Sequence, residues 1–213
     1  MLRAEQVCNM TCGQKGETTM TYAAMNNEEQ KNLIKSYFDR EIEVIKRLNI
    51  DEINAAVQAI WAAYEREATI YIFGNGGSAA TASHYASDFN KGISEKKDKK
   101  FHFVCLSDNV PQMMAIANDI SYDEVFRIPL VNRLRPTDLV IGISGSGNSK
   151  NVIRAVEHAK EIGTPVIGIT GYHGGKLKEL ADYHMDVMED DMQISEDLHM
   201  MFDHMMHFVL NEE

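Results

Sequence analysis

The chain has 213 residues, 44% of them apolar, and its 21 basic and 32 acidic residues give a formal net charge of −11. A chain of this size buries roughly 70% of its unfolded surface, which excludes a mainly disordered protein. No apolar run reaches the ~20 residues that span a bilayer. The first thirty residues also lack the basic-then-apolar order of a signal peptide. We therefore expect a cytoplasmic protein without a membrane partner.

The acidic balance and the cysteines exclude two further classes. A net charge of −11 disfavours nucleic-acid binding through a global positive field, so we expect no nucleic-acid partner. Cys8, Cys12 and Cys105 are odd in number, and the first two are spaced more widely than a zinc knuckle. We expect no disulfide framework, and we expect any bound anion to be held by local backbone N–H groups.

The N-terminal part of the chain divides at about residue 24. Residues 1–24 show no sustained hydrophobic period and are predicted to form a loosely held extension, followed by one domain over 25–213. From Asn27 to Leu48, apolar residues recur at steps of three and four, which predicts a long helix. Asp51 is predicted to cap a second helix. This N-terminal helical pair would pack on the sheet or against a second subunit.

The rest of the chain alternates between short β-rich runs and helical stretches. Such alternation predicts an α/β fold with a parallel sheet and helices on both faces. A last helix, rich in Met and His, is predicted over 192–210. The predicted strands are 69–73, 101–106, 138–143, 165–170 and 183–187.

A glycine-rich turn follows the first predicted strand. The segment 73–79 (FGNGGSA) leads into a helix, and such a turn lets the backbone approach an anion at the helix N-terminus. The spacing also fits the dinucleotide fingerprint G-x-G-x-x-A, with Asp108 as the ribose partner. A tight strand-to-helix connection without a ligand is a third interpretation.

A second turn, 142–149 (GISGSGNS), precedes the amphipathic helix 152–162. Small residues let this loop curl into a nest of backbone amides, and its serine hydroxyls add neutral donors for a phosphate. The turn is not a Walker loop, because it lacks Gly-Lys-Ser/Thr. A dinucleotide enzyme does not explain this second nest, so we expect a phosphorylated small molecule as ligand and no nucleotide cofactor.

Titratable residues on two helices are candidates for the chemistry. His84 and Asp88 share a helix face, and Glu196 and His204 lie about 80° apart on the last helix. These four residues have the groups needed for proton transfer. They also have the ligand types of a zinc site. Alternatively, the two histidines make packing or interface contacts.

Polar loop residues follow the second predicted strand. Asp108, Asn118 and Asp119 either line the site or hydrogen-bond within their loops.

Taken together, these segments resemble the sugar isomerase (SIS) domain, and most closely the phosphoheptose isomerase family. The resemblance covers residues 27–211 and rests on 74–78 (GNGGS), His84, 144–153 (SGSGNSKNVI) and Glu196-x-x-His199-x-x-x-x-His204. It implies a three-layer fold with a five-stranded parallel sheet, and a homotetramer with active sites across subunit boundaries. It also implies isomerisation of sedoheptulose 7-phosphate to glycero-manno-heptose 7-phosphate through an enediol.

The resemblance also assigns roles to residues of this chain. Asp88 and His204 match the catalytic carboxylate and imidazole. The family's zinc site, seen in some members, is matched by His84, Asp88, Glu196 and His204. The matches to the phosphate-binding positions are Ser78, Ser144, Ser146 and Ser149. With the turns and loops above, the predicted substrate-binding residues are Asn75, Gly76, Ser78, Asp108, Asn118, Asp119, Ser144, Gly145, Ser146, Ser149 and Glu196.

Three positions depart from the family pattern. Asp88 stands for the usual Glu, Glu196 for the usual Gln, and Gln193 for the usual Asp. The shorter Asp88 withdraws a base by about an ångström, which can cost on the order of 100-fold in rate. The alternatives are therefore an isomerase for a different sugar phosphate and a non-catalytic phosphosugar-binding module that serves as a sensor or scaffold.

Overall fold

The computed structural model describes residues 26–211, so the predicted extension 1–24 lies outside the described residues. Contacts divide the chain into two units at Phe38/Asp39. The described part of the first unit is the beginning of α1, and the second unit contains the sheet. None of the helices in residues 26–211 is long and apolar enough to cross a bilayer. The α-helices are α1 (Asn27–Ile45), α2 (Ile50–Glu65), α3 (Gly77–Ser87), α4 (Val110–Asp119), α5 (Arg127–Leu130), α6 (Lys150–Ile162), α7 (Gly175–Leu180) and α8 (Met192–Asn211).

The predicted five-stranded parallel sheet is confirmed. Its strand order is β2-β1-β3-β4-β5, and every neighbouring pair is parallel. Each strand lies within two residues of its predicted boundaries. The strands are β1 (Thr69–Gly74), β2 (His102–Cys105), β3 (Leu139–Ser144), β4 (Val166–Thr170) and β5 (Tyr183–Asp186).

Helices cover both faces of the sheet, which gives the predicted three layers. On one face, Phe73 and Val140 belong to a buried apolar cluster with residues of α4, α5, α6 and α7. The alternate strand residues, such as Ile72 and Ile141, are also fully buried and point to the opposite face, where α2, α3 and α8 pack. A sheet buried on both faces explains why its strands are continuous apolar runs.

The start of α2 corrects one expectation. Asp51 was predicted to cap this helix, but the helix begins at Ile50 and is capped by Asn49, whose side-chain oxygen accepts a hydrogen bond from Glu52 N at 3.2 Å. Asp51 lies in the first turn instead. An acidic side chain interacts favourably with the helix dipole both at the N-cap and in the first turn. The sequence alone therefore does not show which of these two positions Asp51 occupies.

Candidate active site

The two predicted ligand turns lie side by side. The turn 74–78 follows β1 and the loop 144–149 follows β3, and these strands are neighbours with Gly74 paired to Ile143. Strand order reverses here, because β2 pairs with the other edge of β1. Open α/β folds bind ligands at such a switch point, outside the carboxyl ends of the strands. The topology therefore supports a single site built from both turns.

The glycine turn needs its glycines for two different reasons. Gly76 has φ of 55°, a left-handed conformation that glycine adopts without strain. Gly74 lies where a Cβ would come within 2.7 Å of Ser78 Cβ and 3.0 Å of Ile143 O, so no side chain fits between strand and helix. Ser78 is consequently buried in the first turn of α3, beside the helix N-terminus.

An amide pair joins the glycine turn to α6. Asn75 Nδ2 donates to Asn151 Oδ1 at 2.9 Å, and Asn151 Nδ2 donates back to Asn75 Oδ1 at 2.8 Å. The hydroxyl of Tyr122 also donates to Asn75 Oδ1, at 2.8 Å. Asn75 was predicted to bind substrate; in the structure its side chain joins the glycine turn to the start of α6. Sequence reasoning did not assign a role to Tyr122, because nothing in the local sequence marks it.

The serine loop is closed by its own hydrogen bonds. Gly147 N donates to Ser144 O at 2.9 Å, and Ser144 Oγ donates to Ser149 Oγ at 3.1 Å. Ser144 is buried, Ser149 is partly buried, and Ser146 is exposed. Ser146 Oγ accepts from Asn148 N at 3.2 Å, which leaves its hydroxyl proton free for a ligand.

A neighbouring loop holds the serine loop in place. Gly171 N donates to Gly145 O at 2.8 Å, and Leu177 N donates to Gly147 O at 2.9 Å. At Gly147, with φ of 65°, a Cβ would overlap the carbonyl oxygen of Gly174. The serine loop is thus fixed by contacts that tolerate only glycine at this position.

The predicted polar residues after β2 have different surroundings. Asp108 ends a short 3-10 turn and is exposed, whereas its neighbour Ser107 donates to Gly74 O at 3.0 Å and so touches the glycine turn. Asn118 and Asp119 are exposed at the end of α4, and Asn118 Nδ2 donates to Asp119 Oδ1 at 2.7 Å. Among the described residues, the hydrogen bonds of this pair do not reach either turn.

Helix α8 runs past both turns. A Cβ at Gly145 would lie 2.5 Å from Met192 Sδ, and a Cβ at Gly77 would lie 2.7 Å from Glu196 Oε2. The carboxylate of Glu196 therefore lies over the N-terminus of α3. The substrate-binding role of Glu196 stays a prediction.

A cluster of four titratable side chains lies further along α8. His84, Asp88, Asp203 and His204 each offer a ligand atom, and these atoms lie within 4.8 Å of one another. His84 Nε2 is 3.4 Å from His204 Nε2 and 3.6 Å from Asp88 Oδ2. Asp88 begins a π-helical segment, Asp88–Gly92, that continues α3, and such segments are frequent at functional sites. We call these four residues the histidine–aspartate cluster.

Asp203 was not among the residues predicted from the sequence. Its side chain is fully buried, neither carboxylate oxygen has a hydrogen-bond partner, and Oδ2 lies 3.7 Å from His84 Nε2. Burial, with a smaller contribution from the charge of Asp88, raises the pKa of Asp203 to about 7. One feature of the sequence could have identified Asp203: it is an acidic residue on the buried face of α8, which also contains Phe202 and Met206.

The donor set of the cluster fits a divalent metal. Two neutral imidazoles and two carboxylates cancel the charge of such an ion, and these ligand types suit zinc. Three members, His84, Asp88 and His204, are shared with the predicted zinc site. Glu196, the predicted fourth ligand, is not a member of this group.

Comparison with known proteins agrees with this architecture. Residues 36–171 match the family model of the SIS domain. The chain is 37% identical over 179 residues to a probable phosphoheptose isomerase of Thermoplasma acidophilum, covering 84% of this chain and 98% of that protein. It is 35% identical over 172 residues to a phosphoheptose isomerase of Helicobacter pylori strain Shi470, covering 81% and 87%.

A solved structure gives the same result. The phosphoheptose isomerase GmhA from Neisseria gonorrhoeae superimposes with a TM-score of 0.79 at 27% identity, over 86% of this chain and 100% of that one. The strand order, the paired turns and these similarities agree with the sequence-based resemblance. The chain therefore belongs to the SIS domain family and, within it, to the phosphoheptose isomerases.

Proposed function

We propose that this protein is an aldose–ketose isomerase that interconverts sedoheptulose 7-phosphate and glycero-manno-heptose 7-phosphate. The observation that carries the proposal is the position of the histidine–aspartate cluster on α3 and α8, the same two helices that border the paired turns. The curated relatives, named phosphoheptose isomerases, favour this substrate over other sugar phosphates. They also disfavour a purely phosphosugar-binding module.

The phosphate group of the substrate would bind between the two turns. Ser78 lies at the start of α3, where unpaired N–H groups and the helix dipole attract an anion. Ser144, Ser146 and Ser149 supply hydroxyls from the facing loop. The amide pair of Asn75 and Asn151 would hold the glycine turn against the start of α6, the helix that follows the serine loop. Binding of the phosphate would thereby position the opposite end of the sugar, which carries the reacting carbonyl group.

Asp88 and His204 would transfer the protons. One of them takes a proton from the hydroxyl-bearing carbon next to the carbonyl, while an acid protonates the carbonyl oxygen, which gives an enediol. Returning a proton to the former carbonyl carbon and removing one from the other hydroxyl completes the isomerisation. A carboxylate and an imidazole both have the chemistry of a general base, so the proposal does not assign the first proton transfer to one of them. Positioned acid–base groups of this kind contribute about 10²- to 10⁴-fold to a rate.

Alternatively, the cluster would hold a zinc ion, and Asp88 and His204 would then serve as its ligands rather than as the proton-transfer pair. His84, Asp88 and His204 are the ligands common to the resemblance and to the structure. When bound, zinc would supply a Lewis acid for the carbonyl oxygen of the sugar, which requires the ion to accept one more ligand than the side chains that hold it. Glu196, over the N-terminus of α3, would contact the substrate hydroxyls nearest the glycine turn.

A homotetramer in the cytoplasm completes the proposal. Apolar side chains are exposed on α1 and α8, where a second copy would cover them; they include Ile42, Met201, Phe208 and Val209. Exposed apolar groups clustered on helices are typical of subunit interfaces. A cytoplasmic location follows from the substrate class, since doubly charged sugar phosphates do not leave the cell. Size-exclusion chromatography with light scattering tests the assembly.

The isomerase activity is tested by NMR of sedoheptulose 7-phosphate in D₂O. The protein is assayed after chelator treatment and again after zinc is added back. We expect the aldose to form with deuterium at the carbon that receives the proton. A difference between the two arms would assign a role to the metal, and equal rates would assign the reaction to the side chains alone. Substrate-dependent thermal stabilisation without deuterium uptake would contradict the proposal and support a binding module.

A further inference from the structure

The feature that the proposed mechanism does not use is the carboxyl group of Asp203. Its side chain has no solvent exposure and neither oxygen has a hydrogen-bond partner. Burying an unpaired carboxylate costs several kcal/mol, roughly. Buried carboxylates are therefore normally paired or bound to a metal. His84 Nε2 lies 3.7 Å from Asp203 Oδ2, too far for a hydrogen bond.

We propose that Asp203, rather than Glu196, is the fourth ligand of a tetrahedral zinc site with His84, Asp88 and His204. The inference deepens the proposed function, on which it rests for the presence of zinc in the cluster. It assigns the metal to a ligand set that the resemblance to the family does not contain. It also separates two roles of α8, with Glu196 facing the substrate turn and Asp203 facing the ion.

The three separations measured from His84 are close to those of a tetrahedral site. Neighbouring ligand atoms of a tetrahedral zinc lie about 3.3 to 3.4 Å apart, for metal–ligand distances of about 2.0 to 2.1 Å. His84 Nε2 lies 3.4 Å from His204 Nε2, 3.6 Å from Asp88 Oδ2 and 3.7 Å from Asp203 Oδ2. Contraction by a few tenths of an ångström would bring these three separations to the expected value, and the remaining three, which are at most 4.8 Å, would close around the ion. An octahedral magnesium requires adjacent ligands about 3.0 Å apart, which fits less well.

The position of Glu196 argues against its inclusion. Glu196 precedes His204 by eight residues, which is about 12 Å along a helix axis. Its carboxylate lies where a Cβ on Gly77 would be 2.7 Å from Oε2, at the start of α3. His84 and Asp88 lie at the other end of that helix. Asp203 is adjacent to His204 in the chain and approaches the ion from the buried side, whereas His204 approaches from the exposed side.

Zinc affinity of two matched variants tests the inference. The full-length chain is stripped with a chelator and titrated with Zn²⁺ against a chromophoric competitor, as wild type, Asp203→Asn and Glu196→Gln. Each substitution removes one negative charge and keeps the side-chain shape. Loss of an outer-shell partner already costs about 10- to 100-fold in metal affinity, so we expect at least this loss for Asp203→Asn. We expect a change of no more than a few-fold for Glu196→Gln.

Cobalt substitution gives a second readout that does not depend on activity. Co²⁺ in a four-coordinate tetrahedral site absorbs strongly in the visible range, and the absorption weakens when the coordination number rises. We expect the intense spectrum for wild type and Glu196→Gln, and an altered one for Asp203→Asn. Zinc-soaked crystals of the wild type, measured at the zinc absorption edge, should place the ion about 2.0 to 2.2 Å from an Asp203 oxygen. The crystals keep the test decisive even if Asp203→Asn does not fold.

Several results would overturn the inference. They are absence of zinc binding by the wild type, an unchanged affinity for Asp203→Asn, a loss of similar size for Glu196→Gln, and an anomalous peak beside Glu196. The outcome is separable from that of the proposed function. A chain that isomerises the heptose phosphate but binds zinc without Asp203 fails only the inference. A chain whose zinc affinity depends on Asp203 but which isomerises no sugar phosphate fails only the proposed function.

Discussion

The paired turns and the histidine–aspartate cluster both border α8, but they are built from different chemical groups. The turns 74–78 and 144–149 contain only glycine, serine and asparagine, so none of their own side chains carries a charge, and the charged group beside them is the carboxylate of Glu196 on α8. The cluster contains two imidazoles and two carboxylates within 4.8 Å. Neutral donors bind an anion over a wide pH range, whereas the cluster responds to protons and metal ions. We therefore expect substitutions in the turns to change substrate binding and those in the cluster to change turnover.

The largest expected effect is that of His204→Ala. Removing an acid–base group should lower kcat by about 10²- to 10⁴-fold. Binding of the sugar phosphate should stay within a few-fold, since the phosphate is held by the turns. Steady-state kinetics and calorimetric titration measure the two quantities.

His207→Ala is the control for this experiment. His207 lies three residues further along α8, where its Nδ1 is 3.1 Å from Asn211 Nδ2, and we expect near-normal kinetics for its variant. Unchanged turnover in His204→Ala would refute the assignment of the cluster to catalysis. A rise in KM with an unchanged kcat would mean that the cluster binds substrate and does not carry out the proton transfer.

A second effect concerns His199, which lies on α8 between Glu196 and the cluster. Burial lowers the pKa of His199 to about 4, from its ordinary value of 6.5. The folded protein therefore binds fewer protons here than the unfolded chain between these two values. The free energy of unfolding should fall as pH drops from 6.5 towards 4, by about 3 kcal/mol in total, and the loss should be complete below pH 4.

His199→Leu should remove this part of the acid sensitivity. Urea denaturation of both proteins from pH 7.5 to 4 measures the difference between their unfolding free energies. That difference should change in favour of the variant as the pH falls. Parallel pH dependences of the two proteins would contradict the assignment to His199.

The turns and the sheet were predictable because their signals are contiguous in the sequence. Glycine and serine segments directly after apolar runs mark the carboxyl ends of strands, and parallel strands bring those ends to one edge. The pairing of Asn75 with Asn151 and Tyr122 was not predictable. It joins positions distant in the chain, and exposed polar residues of these types occur in many loops.

The cluster was predicted in part, and its missing member has a physical explanation. His84 and Asp88 are four residues apart, so helical spacing places them on one face. Asp203 and His204 are adjacent, and adjacent helix residues point about 100° apart, so a search for one face finds only one of them. Their convergence depends on where α8 packs against α3. The periodicity of α8 nevertheless places Asp203 within its buried stripe, where a carboxylate is rarely found without a function.

Gly147→Ala tests the rigid backbone of the turn region. Its φ of 65° penalises alanine, and a Cβ would also overlap Gly174 O. Gly163→Ala is the matched control, because Gly163 has φ of 84° and nothing lies within 4 Å of its Cβ position. Left-handed strain costs about 1 to 2 kcal/mol in both variants, and overpacking adds about 1 to 3 kcal/mol at Gly147 alone. Thermal unfolding should therefore rank Gly147→Ala below Gly163→Ala, and KM should rise only for Gly147→Ala. Equal stabilities would show that the serine loop yields to the added side chain.

The smallest expected effect is that of Ser146→Ala. Ser146 is exposed, and its hydroxyl accepts a hydrogen bond from Asn148 N, so its own proton can be donated to the phosphate. A hydrogen bond to a charged group contributes about 1.5 to 3 kcal/mol. Because this site is open to solvent, we expect the lower end of that range, or about a tenfold rise in KM with kcat unchanged. Ser36→Ala, on the exposed surface of α1, is the control and should leave both constants unchanged. A fall in kcat without a change in KM would mean that the hydroxyl of Ser146 serves the proton transfer, and the division of labour between the turns and the cluster would have to be abandoned.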